Sequence, residues 1–273
     1  MLGKYLENVR CKTPLVHNIT NYVTVNDVAN ALLACGASPI MSDEPEDVED
    51  ITTICGGLNI NIGTLNQRSI EGMFIAGRKA KSLGHIVLLD PVGAGASKLR
   101  TDTAMNIMNE IKPDVIRGNI SEIKTLAQGF GTTKGVDADS ADRVTEDNLD
   151  EMISFAKGFS KKTKAIAVIT GAIDLVADGE KCFVIRNGVP EMSSITGTGC
   201  QLSAIATAYA VANPGDMTEA VASAVCLMGL AGEIGYANLK EGEGNSTLRN
   251  RIIDAIYNMD AKILDKGAKY EVR

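Results

Sequence analysis

The sequence predicts an α/β fold in one domain, with a mainly parallel central sheet flanked by helices on both faces. Three observations carry this. Strand-length apolar runs alternate with segments of helical periodicity through the first two thirds of the chain, the order expected of βαβ crossovers. Some runs, "IVLLD" at 86–90 above all, are apolar almost throughout, as strands covered on both faces are. No Pro/Ser linker, internal repeat or low-complexity tract divides the chain, so residues 1–273 are read as a single domain.

After a polar first turn, "VNDVANALLACGAS" (25–38) has apolar residues at helical spacing with Gly36 near its end, and then gives way to "PIMSDEPED" (39–47). "GGLNINIGTL" (56–65) alternates and reads as a strand, "EGMFIAGRKAKSLG" (71–84) as an amphipathic helix, and "IVLLD" as a strand stopped by "PVGAGAS". The order repeats: helix at 103–112, strand "DVIRG" at 114–118, helices at 119–128 and 149–163, strand "AIAVIT" at 165–170, and a hairpin from "LVADG" and "KCFVIRNG". A polar insertion occupies 131–148, and from Gln201 onward the chain is read as helical into a charged tail.

A formal charge of -7 repels a phosphate backbone, and no Lys/Arg cluster reverses that sign locally, so nucleic acid is excluded as a partner. The start "MLGKYLENVRCK" has no apolar core of signal-peptide length. The run "VASAVCLMGLAGEIG" (221–235) is too short and too rich in small residues to span a bilayer, so a cytoplasmic protein with no membrane partner is expected. Cysteines 11, 35, 55, 182, 200 and 226 show no CxxC or Cys/His pairing, which fits neither a disulfide framework nor a zinc site.

Ligands of open parallel sheets bind outside the carboxyl ends of the strands. The edges there are "MSDE" from Met41, "DPVGAG" from Asp90, "RGNISE" from Arg117, and Thr170 with Gly171. To these "ITGTGCQLSA" (195–204) adds glycines and a cysteine at a helix start, where free amides and the peptide dipole favour an anion or a thiolate. Carboxylates, an arginine, hydroxyls and a glycine cradle suit phosphoryl transfer. Neither a Walker A sequence nor a GxGxxG after a strand is present.

Each residue also has a structural reading. Asp90 before proline either starts a turn or supplies a metal-linked carboxylate. Asn119 and Glu122 have the N-x-x-E spacing of a helix cap and also suit magnesium. His17 reads as a hydrogen-bonded structural residue, His85 as a strand entry, and Met41 by itself as a core filler. Cys200 reads as functional. A cysteine-nucleophile enzyme and a non-catalytic nucleotide-binding regulator are the rival classes; covalent capture at Cys200 without ATP would mark the first.

The set resembles the hydroxyethylthiazole kinase family of the ribokinase-like superfamily. The likeness is carried by "PLVHNITNYVTVNDVANALLACGASPIM" (14–41), "NINIGTL" (59–65), "DPVGAGAS" (90–97), "RGNISEI" (117–123), "ITGAIDLVADG" (169–179) and "ITGTGCQLSA" (195–204), with cysteine where many ribokinase-like relatives have aspartate. The resemblance implies phosphorylation of the hydroxyl of 4-methyl-5-(2-hydroxyethyl)thiazole by ATP and Mg²⁺ in thiamine salvage, in homotrimers with active sites at subunit boundaries. By motif it implies that Met41, Asn21 and Gly197 meet the thiazole, while Arg117 and Thr170 meet ATP. Asp90, Asn119 and Glu122 organise Mg²⁺ and its waters, Gly197, Thr198 and Gly199 form an anion hole, and Cys200 takes the base position.

Overall fold

The computed structural model describes residues 1–128 and 143–273. Among these, the strands are β1 (Leu15–Ile19), β2 (Ser38–Met41), β3 (Gly57–Asn61), β4 (Ile86–Asp90), β5 (Val115–Asn119), β6 (Ile166–Thr170), β7 (Asp174–Ala177), β8 (Cys182–Ile185) and β9 (Tyr270–Val272). They form one sheet in the order β2-β1-β3-β4-β5-β6-β7-β8-β9. The first six in that order are parallel and the last three add antiparallel, with β7 and β8 as the hairpin read from the sequence. The mainly parallel α/β sheet is therefore the one expected.

Helices α1 (Gly3–Lys12), α2 (Val25–Cys35), α8 (Thr198–Ala212), α9 (Met217–Ala237), α10 (Asn245–Asn258) and α11 (Ala261–Gly267) gather on one face. There they cover Val16, Leu88, Val115 and Val168. Helices α4 (Gln67–Ser82), α5 (Lys98–Glu110), α6 (Ile120–Gln128) and α7 (Leu149–Thr163) cover the opposite side chains, among them Leu58, Ile60, Leu89 and Ile116. α3 (Val48–Ile54) joins that second layer through Val48 and α4. Alternate residues of each strand thus enter opposite cores, which is why β4 and β6 read as nearly continuous apolar runs.

Several elements differ from the expectation. The start of the chain, to which the sequence reading assigns no element, is a full helix, α1, whose Tyr5, Leu6 and Val9 form a buried stripe and whose end is the left-handed Thr13 (φ 43°). β1 escapes a periodicity reading because His17 and Asn18 interrupt it, yet the last four of its five residues are buried. α3 is short, and α5 starts at Lys98 behind Ser97, whose hydroxyl accepts the Arg100 N–H. The charged tail ends in β9, which pairs with β8. Of the polar insertion, residues 131–142 lie outside the described residues, and Glu146–Asn148 form a 3-10 turn leading into α7. α9, at 21 residues, is longer than the apolar run suggested and passes the length and composition required to cross a bilayer; 78% of its most apolar window is buried inside the protein, as in a core helix.

One feature of the topology positions the site. The chain leaves β1 through α2 on the α8 face toward β2, and leaves β3 through α4 on the other face toward β4. The order reverses between β1 and β3, so a crevice opens beyond their carboxyl ends, the switch-point geometry of open α/β sheets. The start of α8 lies over that crevice.

Candidate active site

Gly197 caps the start of α8; its φ of +89° lies in the left-handed region, and a Cβ there would collide with Thr24 at the start of α2. Glycine is the residue that turns the chain there without strain. No side chain caps this helix. Its first-turn amides, on Thr198, Gly199 and Cys200, are thus not engaged by a capping side chain and form the positive end of the peptide dipole.

Cys200 is partly exposed in the first turn, and its Sγ accepts N–H bonds from Asn21 Nδ2 (3.1 Å) and Asn61 Nδ2 (3.3 Å). Burial raises its thiol pKa and the Asp90 charge adds to that; hydrogen bonds from Thr24 and Asn21 and the charge of Arg117 pull the other way. Asp90, at the tip of β4, is fully buried. Its Oδ2 accepts from Asn61 Nδ2 and Ser203 Oγ, both at 2.8 Å, and lies 3.5 Å from Arg117 Nη1, while Oδ1 is buried with no hydrogen-bond partner. Burial pushes its carboxyl pKa up against Arg117, Ser203 and Asn61.

Arg117 stands on β5 with its side chain 12% exposed and gives Nη2–H to Thr170 Oγ1 on β6 (2.7 Å). Its guanidinium also lies against α8, since a Cβ on Gly199 would come within 2.5 Å of Nη1. Asn119 and Glu122 form the reciprocal cap foreseen from their spacing: Asn119 Oδ1 accepts the Glu122 N–H and Glu122 Oε2 accepts the Asn119 N–H, at 2.9 and 2.8 Å. Glu122 Oε1 takes a further N–H from Gly93 at 2.8 Å, beyond the tip of β4. The structural reading of this pair, a helix cap, is the one the geometry shows.

The Glu122 carboxyl is pushed up to about 7, first by burial and then by Asp90, against the N–H bonds from Gly93 and Asn119. Because the folded value exceeds the ordinary 4.5, the folded state holds this proton more tightly than the unfolded chain. The resulting stability is complete below 4.5 and is lost as pH rises to about 7. Urea unfolding of the wild type and of Glu122→Gln should show their stability difference moving in favour of the variant by about 3 kcal/mol between about pH 4 and pH 8. A difference that stays constant with pH would mean that this carboxyl titrates normally.

A cavity of about 790 Å³ opens beside these groups, between the tips of β5 and β6 and the start of α8. Arg117, Asn119, Thr170, Thr198 and Gly199 line it on one side, and Met192, Leu202, Val225 and Met228 supply apolar wall. Cys200, Asn21, Gly197, Asp90 and Glu122 do not line this cavity but adjoin it through Gly199, Arg117 and Asn119. Met41 ends the edge strand β2, on the same carboxyl edge of the sheet as Asn18 of β1, and is half-buried against the core. His17 is structural, its ring nitrogens 2.9 Å from Thr52 Oγ1 and from the Ser42 carbonyl, and burial lowers its pKa. Among the described residues no group of three His, Cys, Asp or Glu side chains could hold a metal by itself.

Three residues were not singled out from the sequence. Ser203 sits one turn beyond Gly199 and looks like any small helix residue. Asp174 opens β7, lines the cavity and accepts the Gly171 N–H (2.8 Å); burial pushes its carboxyl up to about 7 against that bond and Arg117. Asn61 carried a usable signal: in a strand covered on both faces, polar residues alternating with Leu58, Ile60 and Ile62 must be buried, and buried carboxamides need partners.

Comparison with known proteins adds three findings. The hydroxyethylthiazole kinase family matches residues 6–262. A hydroxyethylthiazole kinase of Clostridium acetobutylicum is 60% identical over 271 residues, covering 99% of each chain. Among solved structures, a hydroxyethylthiazole kinase from Pyrococcus horikoshii superposes with a TM-score of 0.88 at 32% identity, over 100% of this chain and 98% of the other. The pyridoxal kinase of Staphylococcus aureus in complex with AMP-PCP and pyridoxal shares the fold, with a TM-score of 0.63 at 15% identity over 95% and 98% of the two chains.

Proposed function

The chain belongs to the hydroxyethylthiazole kinase family, and from that premise we propose that residues 1–273 form one kinase domain whose sheet edge holds the thiazole alcohol at one end and ATP at the other. It is a phosphotransferase that phosphorylates the hydroxyl of 4-methyl-5-(2-hydroxyethyl)thiazole in thiamine salvage. The observation that supports the placement is the row of groups along the carboxyl edge, in strand order: Met41, Asn21, Asn61, Asp90, Arg117 with Asn119, and Thr170. From β2 to β6 that row spans roughly 24 Å, room for an alcohol and a nucleotide end to end.

In this reading Met41 and Asn21 hold the thiazole ring beside Gly197, and the apolar wall of the cavity takes the base of ATP. Arg117 and Thr170 fix the phosphates. The free amides of Thr198 and Gly199, with Gly197 turning the chain, hold the phosphoryl group as it moves, where preorganised donors act without reorganisation. Cys200 Sγ stands on the alcohol side of those amides and accepts the proton of the attacking hydroxyl.

Magnesium fits the residues present in a limited way. The unpartnered Asp90 Oδ1 is an oxygen donor, whereas both Glu122 oxygens are already engaged by N–H groups. Asp90 would hold the ion, Glu122 and Asn119 would orient its waters, and the rest of the shell would come from water and phosphate, as Mg²⁺ prefers. Bound there, the ion would neutralise charge on the triphosphate.

A homotrimer in the cytoplasm completes the proposal. The exposed Tyr22 and Val23, next to Asn21, and the unpaired edge of β2 that carries Met41 support a neighbouring subunit over the alcohol end. ADP release should depend on both ATP with Mg²⁺ and the thiazole alcohol, and should exceed that with pyridoxal or a pyrimidine alcohol. The active species should sediment as three 28.8 kDa chains. Turnover without ATP, or preference for another heteroaromatic alcohol, would refute the reading; an active monomer would refute the trimer alone.

A further inference from the structure

Asn61 ends β3 in the middle of the sheet and is 1% exposed. It belongs to the "NINIGTL" stretch, to which the reading above gives no chemical task. Every hydrogen-bonding position of its carboxamide is used. Nδ2 lies 2.8 Å from Asp90 Oδ2 and 3.3 Å from Cys200 Sγ, one N–H for each, while Oδ1 accepts from Gly63 N (2.9 Å) and Asn21 Nδ2 (3.1 Å). Asn21 Nδ2 also reaches the same sulfur at 3.1 Å, so Asn21, Asn61 and Cys200 close a ring.

We propose that Asn61 is a positioning residue for phosphoryl transfer, its planar NH₂ group holding the sulfur of Cys200 and the carboxylate of Asp90 at a fixed separation. The proposal rests on the roles given above to those two residues. The Cys200 sulfur and the Asp90 carboxylate present acceptor atoms to the same nitrogen, and neither is joined to the other by a direct hydrogen bond that would fix their spacing. A neutral donor between them satisfies both and adds no charge of its own. Because both N–H bonds leave one rigid nitrogen, the alcohol end and the phosphate end of the site are set by the same side chain. A core residue of similar size, such as leucine, would serve packing on β3 but would leave the Asp90 and Cys200 acceptors without these donors.

Steady-state kinetics of Asn61→Ala, Asn61→Asp, Cys200→Ala and the double variant Asn61→Ala/Cys200→Ala test this. Asn61→Asp keeps the shape and the acceptor for the Gly63 N–H but removes both donors, and it carries the test if the alanine variant fails to fold. Both Asn61 variants should lower kcat by about 20-fold, within what ångström-scale misplacement costs, with KM for ATP and for the alcohol changed by less than about threefold. In the Cys200→Ala background, Asn61→Ala should cost less than about fivefold, because the sulfur it places is gone. A loss confined to KM, or losses that multiply in full in the double variant, would overturn the proposal. Wild-type kcat in the Asn61 variants with a reduced kcat in Cys200→Ala would overturn it alone, whereas an unchanged kcat in Cys200→Ala would overturn the site reading and this proposal together.

Discussion

Arg117→Ala is expected to lower kcat/KM for ATP by about 100-fold while changing KM for the thiazole alcohol by less than about threefold, the scale of a lost charge-assisted contact to phosphate. The reasoning starts from an apparent misfit. The guanidinium lies against the first turn of α8 at Gly199, and a cation at the positive end of a helix is disfavoured. Asp90 at 3.5 Å offsets part of that cost, and Thr170 at 2.7 Å orients the group without neutralising it. In the proposed function an arriving phosphate would satisfy the arginine and the first-turn amides together. Arg117→Lys should recover only part of the loss, since one ammonium cannot bridge Thr170 and Asp90 as the planar fork does. Equal losses for both substrates in initial-rate assays would remove Arg117 from the nucleotide end. A thermal melt is the companion measurement, because leaving Asp90 buried without its partner destabilises the fold by about 3 kcal/mol.

The sheet was legible because its central strands are buried on both faces, and such strands announce themselves as unbroken apolar runs. β1 and β9 were not legible for opposite reasons. β1 carries His17 and Asn18, side chains whose partners on α3 and β3 are invisible locally, while β9 is a three-residue edge strand in a charged tail. At the site, glycines and charged residues next to strand ends could be placed in advance, since their positions follow from the strand pattern alone. What could not be read was which of them meet. The contacts of Ser203 with Asp90, of Asn21 with Cys200 and of Arg117 with Gly199 depend on α8 crossing the sheet at the β1/β3 reversal, and no local signal specifies that crossing. The Asn119–Glu122 motif shows a different limit. Its spacing predicts a cap, the cap forms, and the same carboxyl is carried to about 7 by burial and Asp90, neither of which is written in four residues.

Cys200→Ala should lower kcat by about 100-fold and KM much less, while Cys200→Asp should stay within about threefold of wild type at neutral pH. Burial and Asp90 hold the thiol above its ordinary value of 9.0, so at neutral pH the resting sulfur is protonated and its two N–H contacts, from Asn21 and Asn61, hold it in place. An aspartate at 200 could accept the same two donors and would be ionised at neutral pH. The pH profiles should therefore separate: the rising limb of kcat in the wild type belongs to a group of thiol pKa or higher, and in Cys200→Asp it moves to lower pH. A loose transition state leaves the attacking hydroxyl acidic only late in the reaction, when phosphorus–oxygen bond formation has advanced, so the proton passes only to the small thiolate fraction present at neutral pH, and turnover rises with pH as that fraction grows. Near-normal kcat in the alanine variant, or superimposable pH profiles for thiol and carboxylate, would show that positioning by the α8 amides suffices and that no acceptor at 200 takes the proton.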